Sequence, residues 1–367
     1  MSQIVVLSSI DWGAAWQRHQ IFASQFAAAG HDVFFVENTG FRNPRIADLG
    51  RVAQRMRRVA ALPPERQDGV RVISPTVLPP RGALQRIANE SFFITSLLEK
   101  LKRQGLKDRP IVIAYFATAT TLDLIRRLDP PLLVYDCASH FEAHPDAPKD
   151  FPELERRLLE RADLVVTDSD FLLQLQSRKH PKVVQVHQGV SEEFFSAKLP
   201  DPRWRRFCYY GTWVPDLDPH FLTALSEAGF EVTLSGFIKG PPPPVPSMGP
   251  VAREKLVSRL EGFDVFTLPH KMIPFHLGVI PAKIYECMAM GRPVLAAPLP
   301  SLEPLKDLLY IGETPEDWVR FARDLPKTET AAKRAARLAL AREHTHEREF
   351  GRLTAYFREA SRGRHIL

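Results

Sequence analysis

Three observations predict an α/β protein built as two doubly wound, Rossmann-like domains. Short apolar runs alternate with helical stretches, the alternation restarts past the middle of the chain, and 367 residues suit two cores rather than one. With 44% hydrophobic and 25% charged residues, wholesale disorder and low-complexity architectures are excluded. Ile4–Ser8 reads as the first strand and Trp16–Ala29 as an amphipathic helix stopped at Gly30. Asp32–Glu37 then completes a βαβ unit. Further strands are expected at Val70–Ser74, Ile111–Tyr115, Leu132–Tyr135, Leu164–Thr167 and Val183–Val186. The helices between them are expected at Leu84–Lys102, Thr120–Arg127, Pro152–Arg161 and Phe171–Ser177.

A turn-rich stretch, Ser196–Arg205, reads as the link between domains. Beyond it strands recur at Phe207–Tyr210, Val232–Ser235, Val265–Leu268 and Val294–Ala296, and the chain closes with helices over Ala331–Arg342 and His344–Ala360. Gly240–Pro246, with five prolines, reads as a rigid surface loop. The expected division is 1–198, 199–343 and a final helical segment, 344–367. Two such sheets facing one another would bring their strand C-terminal ends to a common cleft, where open α/β sheets bind ligands.

Several function classes are disfavoured. No Gly-x-Gly-x-x-Gly follows the first strand, and no P-loop run or Gly-x-Ser-x-Gly elbow occurs. Cys137, Cys208 and Cys287 are too far apart for a metal site and suggest no disulfide framework. No apolar run of membrane-spanning length is present, and Met1–Ser9 lacks the pattern of a signal peptide, so the expected compartment is the cytoplasm. The net charge of +6 is local: Arg51–Pro110 holds thirteen Lys/Arg against five Asp/Glu. Within it Arg51, Arg55, Arg57 and Arg58 precede Ala60–Pro63, and Phe92, Phe93, Leu97 and Leu98 sit among Arg86, Lys100, Lys102 and Arg103. That mixture suits an anionic membrane surface, or is a solvated helical face; no nucleic-acid module accompanies it.

The most informative stretch is Pro281–Val294, read as a helix from Pro281 to a Gly291 cap followed by a buried strand. Lys283 and Glu286, three apart, share one face of its first turn. A helix N-terminus with a lysine suits a diphosphate, and a carboxylate one turn on suits both hydroxyls of a ribose. A surface ion pair would show the same spacing. Asp11, Trp12, Trp16, Arg18 and Gln20 cluster after the first strand, a mixture that suits a sugar or a lipid headgroup, while Trp16 packed on the sheet and Arg18 at the surface would be the structural alternative.

On these residues the chain resembles glycosyltransferases of the GT-B fold, in family 4 and especially the polysaccharide-assembly branch related to teichuronic-acid glycosyltransferases. The xanthan-assembly glucuronosyltransferase is a more distant likeness. Supporting stretches are Trp16, Arg18 and Gln20 with Gly30, His31 and Val33–Glu37; Val134–Asp136; Ala162–Ser169; Gln188–Phe195; and Gly211–Asp218. The resemblance implies two Rossmann-like domains facing a central cleft, with C-terminal helices crossing back to the N-domain. It implies donor binding by Lys283 on the diphosphate and Glu286 on the ribose, with Gly211, Thr212 and Trp213 beside them. Family 4 relatives often carry a second glutamate where Gly278 stands here, and His270 and Lys271 are the candidates to share the sugar or phosphate load.

The implied activity is transfer of a sugar from a nucleoside diphosphate donor, most simply UDP-linked, to a lipid-linked or polysaccharide-type acceptor, with no metal or other cofactor. A UDP-sugar epimerase and a non-catalytic carbohydrate- or lipid-binding protein are the rivals. Inversion needs a base near the acceptor hydroxyl; Asp136 and His140, in the loop that also holds Ser139, Glu142 and His144, are the catalytic candidates. Asp11, Trp12, Trp16 and Arg18 are the acceptor-side candidates. Of two Asp-x-Asp triplets, Asp168–Asp170 is expected to cap a helix rather than hold a metal, and Asp216–Asp218 is the other.

Overall fold

The computed structural model describes residues 1–38, 66–75 and 92–361. The expected basic residues Arg51, Arg55, Arg57, Arg58 and Arg86, the stretch Ala60–Pro63, and residues 84–91 of an expected helix lie outside them.

The chain forms two compact units, one of residues 1–186 with 350–367 and one of residues 187–349. The first is built on an eight-stranded sheet. Its strands are β1 (Gln3–Leu7), β2 (Asp32–Val36), β3 (Arg66–Gln67), β4 (Val70–Ile73), β5 (Ile111–Ala114), β6 (Leu133–Cys137), β7 (Leu164–Thr167) and β8 (Val183–Gln185). Their order is β3-β4-β2-β1-β5-β6-β7-β8, parallel throughout except for the β3–β4 hairpin. The apolar runs are continuous rather than alternating because both sheet faces are covered. Val5, Leu7, Phe34 and Val36 pack into one core layer, and Ile4, Val6, Val33 and Phe35 into the other. The second layer also takes in Leu353 and Phe357 from the helix His346–Ala360.

The second unit holds a five-stranded parallel sheet of β9 (Arg206–Tyr210), β10 (Glu231–Ser235), β11 (Val265–Leu268), β12 (Val294–Ala296) and β13 (Tyr310–Ile311), in the order β10-β9-β11-β12-β13. Cys208, Tyr210, Phe266 and Leu268 face one core layer, and Phe207, Tyr209 and Val265 the other. In each sheet the first strand is flanked by strands reached in opposite directions, so loops leaving the C-terminal ends of β1 and β9 open on a switch point.

The turn-rich stretch 196–205 is packed: Leu199 lies against the core, Pro200 accepts from Arg292 at 2.6 Å, and the amides of Arg203, Arg205 and Arg206 all donate to Asp264 at 3.2, 2.9 and 3.0 Å. The helices differ from expectation in two respects. The helix of the Pro281–Val294 stretch is shorter than its sequence pattern, Ile284–Ala289, because Pro281–Lys283 form an entering turn in which the Ile284 amide bonds Pro281 O at 2.9 Å. Two helices unassigned in the sequence, Pro219–Glu227 and Pro315–Thr328, cover β9, β10 and β13. Among the described residues no helix is long and apolar enough to cross a membrane.

Candidate functional site

In the second unit, the loop after β9 begins at Gly211, with φ +127, and the Lys283 side chain lies directly across it. A Cβ at Gly211 would stand 2.3 Å from Lys283 Cε and 2.6 Å from Nζ. On the other side Gly236, which follows β10, presses on the same peptide: a Cβ there would lie 1.9 Å from Gly211 O. Only glycine fits at both positions, and the sequence places glycine at both. The Lys283 ammonium is 5.4 Å from the Tyr209 ring centre, on its face.

Lys283 is the cap residue of the short helix and Glu286 lies in its first turn, next to the dipole's positive end. The Tyr210 hydroxyl donates to Glu286 Oε2 at 2.8 Å and so fixes the carboxylate. Burial pushes the Glu286 carboxyl up to about 7, against the Tyr210 bond and the Lys283 charge. It therefore titrates near neutrality.

The loops after β9 and β11 are stitched together beside this pair. Leu217 bridges His270, the Lys271 amide donates to Asp216 O at 3.0 Å, and Lys271 Nζ donates to Pro215 O at 2.6 Å. The His270 ring stands 5.3 Å from that of His276, whose Nδ1 is 2.7 Å from Lys271 O. Burial, with His276 and Lys283 nearby, lowers His270 to about 3, so its imidazole is neutral at physiological pH. Thus Lys283, Glu286, Gly211, Thr212, His270 and Lys271 gather at one end of the sheet. Thr212 contributes its carbonyl, which accepts from Tyr209 OH at 3.0 Å. Trp213 belongs to the group only through its backbone, because its ring is buried edge-on to Tyr209. Tyr210, Gly236 and His276 were missed by motif reasoning: Tyr210 ends β9 beside Gly211, Gly236 arrives through the β9–β10 pairing, and His276 lies in the 3-10 turn Pro274–Gly278 that follows the β11 loop.

The first unit holds a buried charge cluster at the ends of β1, β6 and β7. Arg18 and Asp136, given separate roles from sequence, are paired. The guanidinium donates through Nε to Oδ2 at 3.1 Å, with Nη2 2.9 Å from Oδ1, and both residues are at most 2% exposed. Arg18 also donates to Val186 O at 2.9 Å and lies 3.8 Å from Asp168. The triplet Asp168–Asp170 thus starts a helix as expected, but through Ser169, while Asp168 itself is turned to Arg18. Ser169 caps the helix Asp170–Ser177, and Asp218 caps Pro219–Glu227. Burial pushes Asp168 up to about 7, Asp136 adding to the effect and Arg18 opposing it. Burial likewise raises Asp136, with Arg18 pulling it down.

Around this cluster His19 is buried, its Nε2 2.9 Å from Ser9 Oγ and its ring 3.8 Å from that of Tyr115. Trp12 is buried, its amide bound to Glu37 at 2.9 Å, and it meets Trp16 edge-on at 5.4 Å. Of the acceptor-side candidates only Asp11 is exposed, with Trp16 half-buried. His140 is half-buried at the start of a short 3-10 turn, its ring 5.4 Å from that of Phe171.

No protein-family model matches the chain. Over 196 residues it is 28% identical to TuaH of Bacillus subtilis, assigned to teichuronic acid biosynthesis as a glycosyltransferase; the match takes in 45% of this chain and 49% of that protein, about half the relative's length. Two solved structures are similar over nearly the whole chain. A sucrose-phosphate synthase from Thermosynechococcus elongatus gives a TM-score of 0.69 at 14% identity over 98% of this chain and 99% of its own. Anabaena HepE in complex with UDP and glucose gives 0.63 at 14% identity over 97% and 99%. With its two parallel, doubly wound sheets and this likeness, the chain has the GT-B fold of glycosyltransferases.

Proposed function

We propose that the protein is a glycosyltransferase that takes a sugar from a UDP-linked donor and passes it to a lipid-linked or polysaccharide-type acceptor. The observation that carries this reading is Lys283 laid across the Gly211 peptide, with Glu286 held by Tyr210 one turn on. A cation above a glycine peptide can meet a diphosphate closely, and a fixed carboxylate can accept two ribose hydroxyls. The likeness to TuaH and to a structure holding UDP supports the same donor class.

In the transfer, Lys283 neutralises the leaving diphosphate as the glycosidic bond to it breaks. Neutral His270 and the Lys271 loop line the sugar side, where Gly278 offers no carboxylate. Asp136 is committed to Arg18, so of the two catalytic candidates the base role falls to His140 in this reading. Charge compensation by Lys283 needs no metal, and transfer is expected to persist in excess EDTA. Attachment to the inner membrane surface through residues 51–110 is supported by their charge. It is supported also by Phe92, 67% exposed ahead of the helix Ile94–Arg103, whose last turn carries Lys100, Lys102 and Arg103.

Calorimetry with UDP, GDP, dTDP and ADP tests the donor. UDP should bind, and Lys283→Ala should weaken it about 10- to 100-fold. Absence of binding to any of the four would overturn the reading. Release of UDP from the donor only when acceptor is present separates transfer from epimerisation. Salt-sensitive cosedimentation with anionic vesicles tests the membrane contact.

A further inference from the structure

The end of the second sheet remote from Lys283 gathers arginines along one rim. β9, β11 and β12 are parallel neighbours, so Arg206 at the start of β9, Gly262 and Asp264 just before β11, and Gly291 and Arg292 just before β12 all lie at the same end. Two glycines let side chains lie flat there. A Cβ at Gly262 would stand 3.6 Å from Arg206 Nη1 and 3.8 Å from Nη2, so that guanidinium is folded from β9 toward the entry to β11. A Cβ at Gly291 would stand 3.0 Å from Arg334 Nε, which lays this residue of the helix Ala331–Glu343 over the position next to Arg292.

Arg292 is the buried member of the group, 4% exposed. Its Nη2 donates to Pro200 O at 2.6 Å, while its Nε is buried with no partner among the described residues. Burial lowers its pKa, Arg334 and Arg206 add to the effect, and Asp264 and Asp201 oppose it. Arg206 and Arg334 are exposed, and among the described residues no ion pair holds any of the three. Acids nearby are engaged elsewhere. Asp264 takes the amides of Arg203, Arg205 and Arg206, Glu261 takes the Lys198 amide at 2.7 Å, and Glu231 faces Arg205 at 4.0 Å. Like charges around a desolvated guanidinium with an unmade hydrogen bond cost the fold free energy, which an anion with several acceptor oxygens returns.

We propose that Arg206, Arg292 and Arg334 form an anion site for a phosphate or diphosphate group, separate from the donor pair. Arg292 is its fixed anchor, and Arg206 and Arg334 supply charge from the solvent side. The planar fork of arginine meets phosphate oxygens two at a time, which suits a phosphate better than a single carboxylate. A soluble phosphate compound and a phospholipid headgroup both present this chemistry. The site shares no residue with Lys283, Glu286 and the loops beside them, so it stands independently of the donor reading.

The test uses the Lys283→Ala protein, in which the donor site contributes least, with and without Arg206→Ala plus Arg334→Ala. Both arginines are exposed, and thermal melts check that the fold is kept. Phosphorus NMR titration with pyrophosphate reads the soluble anion, and cosedimentation with phosphatidate vesicles reads the headgroup. Pyrophosphate is expected to bind with a Kd of about 1 mM or tighter, weakened about tenfold or more when the arginine pair is removed. A control pair on another helix, Arg320→Ala with Arg323→Ala, should leave it within about twofold. Binding to phosphatidate vesicles alone, lost with Arg206 and Arg334, would keep the site and assign it to a headgroup. No binding in either arm would overturn the proposal, as would binding that survives removal of the pair or falls equally in the control. UDP binding by wild type is measured apart, so failure of this site and failure of the donor reading are distinct results.

Discussion

Replacing Asp136 by asparagine should destabilise the first unit without altering its shape. In the wild type the Arg18 guanidinium is 2% exposed, forked onto Asp136 at 2.9 and 3.1 Å, with the Val186 carbonyl at 2.9 Å and Asp168 at 3.8 Å. Asparagine offers one acceptor and turns an amide toward a guanidinium nitrogen. Removing one partner of a buried pair costs about 3–5 kcal/mol. Part of that is recovered here, because Asp168 no longer feels the Asp136 charge and ionises more readily beside Arg18. The lower end, about 3 kcal/mol, is therefore expected. For a unit of this size it amounts to a fall in Tm of roughly 6–12 °C. Scanning calorimetry on the purified protein measures it, and Arg18→Met combined with Asp136→Leu should restore most of the loss. A shift of less than about 2 °C at both pH 6 and pH 8 would refute the claim that this pair ties β6 to the helix after β1.

Three further outcomes are expected. Gly211→Ala places a methyl 2.3 Å from Lys283 Cε at a backbone φ of +127, so it should weaken UDP about tenfold or more while Tm moves far less than in Asp136→Asn, as calorimetry and thermal melts would show. Because Glu286 titrates at about 7, its carboxylate is lost as pH falls; UDP affinity should drop from pH 8 to pH 6, and Glu286→Gln should leave only the nucleotide's own titration. Asp168, raised to about 7, contributes stability that is present below its ordinary carboxylate range and lost as pH rises through 7, so Asp168→Asn should flatten the decline between pH 4 and 7; an unchanged Tm profile would show the carboxyl is not shifted.

The sheets were legible in sequence because strands buried on both faces are written as uninterrupted apolar runs, such as Ile111–Ala114 and Val265–Leu268. The helix Pro315–Thr328 was not, since Pro326 inside it breaks the local pattern while Trp318 and Leu325 hold it by tertiary packing. The β3–β4 hairpin turns at Asp68-Gly69, a turn signal with both φ values positive; β4 was expected within Val70–Ser74, and the two-residue β3 was too short to register. Of the site, Lys283 and Glu286 lie three residues apart and could be read directly. Tyr210 meets Glu286 across 76 residues and Arg18 meets Asp136 across 118, distances over which only the strand order reveals a partner. That range also explains why Arg18 and Asp136 looked like two independent functional candidates.

The first unit is assembled from two stretches of the chain that lie on either side of the second unit, and this bears on how the protein is made. Phe357 is fully buried, its ring 5.7 Å from that of Phe26, and Phe350 meets Phe26 at 4.8 Å. The sheet of the first unit emerges from the ribosome before the second unit, yet one wall of its interior waits until the second unit has been translated. During that interval Phe26 and its neighbours present an uncovered apolar surface to the cell, a natural target for a chaperone. A ribosome stalled within the second unit would release a half-protein that is sticky rather than merely inactive.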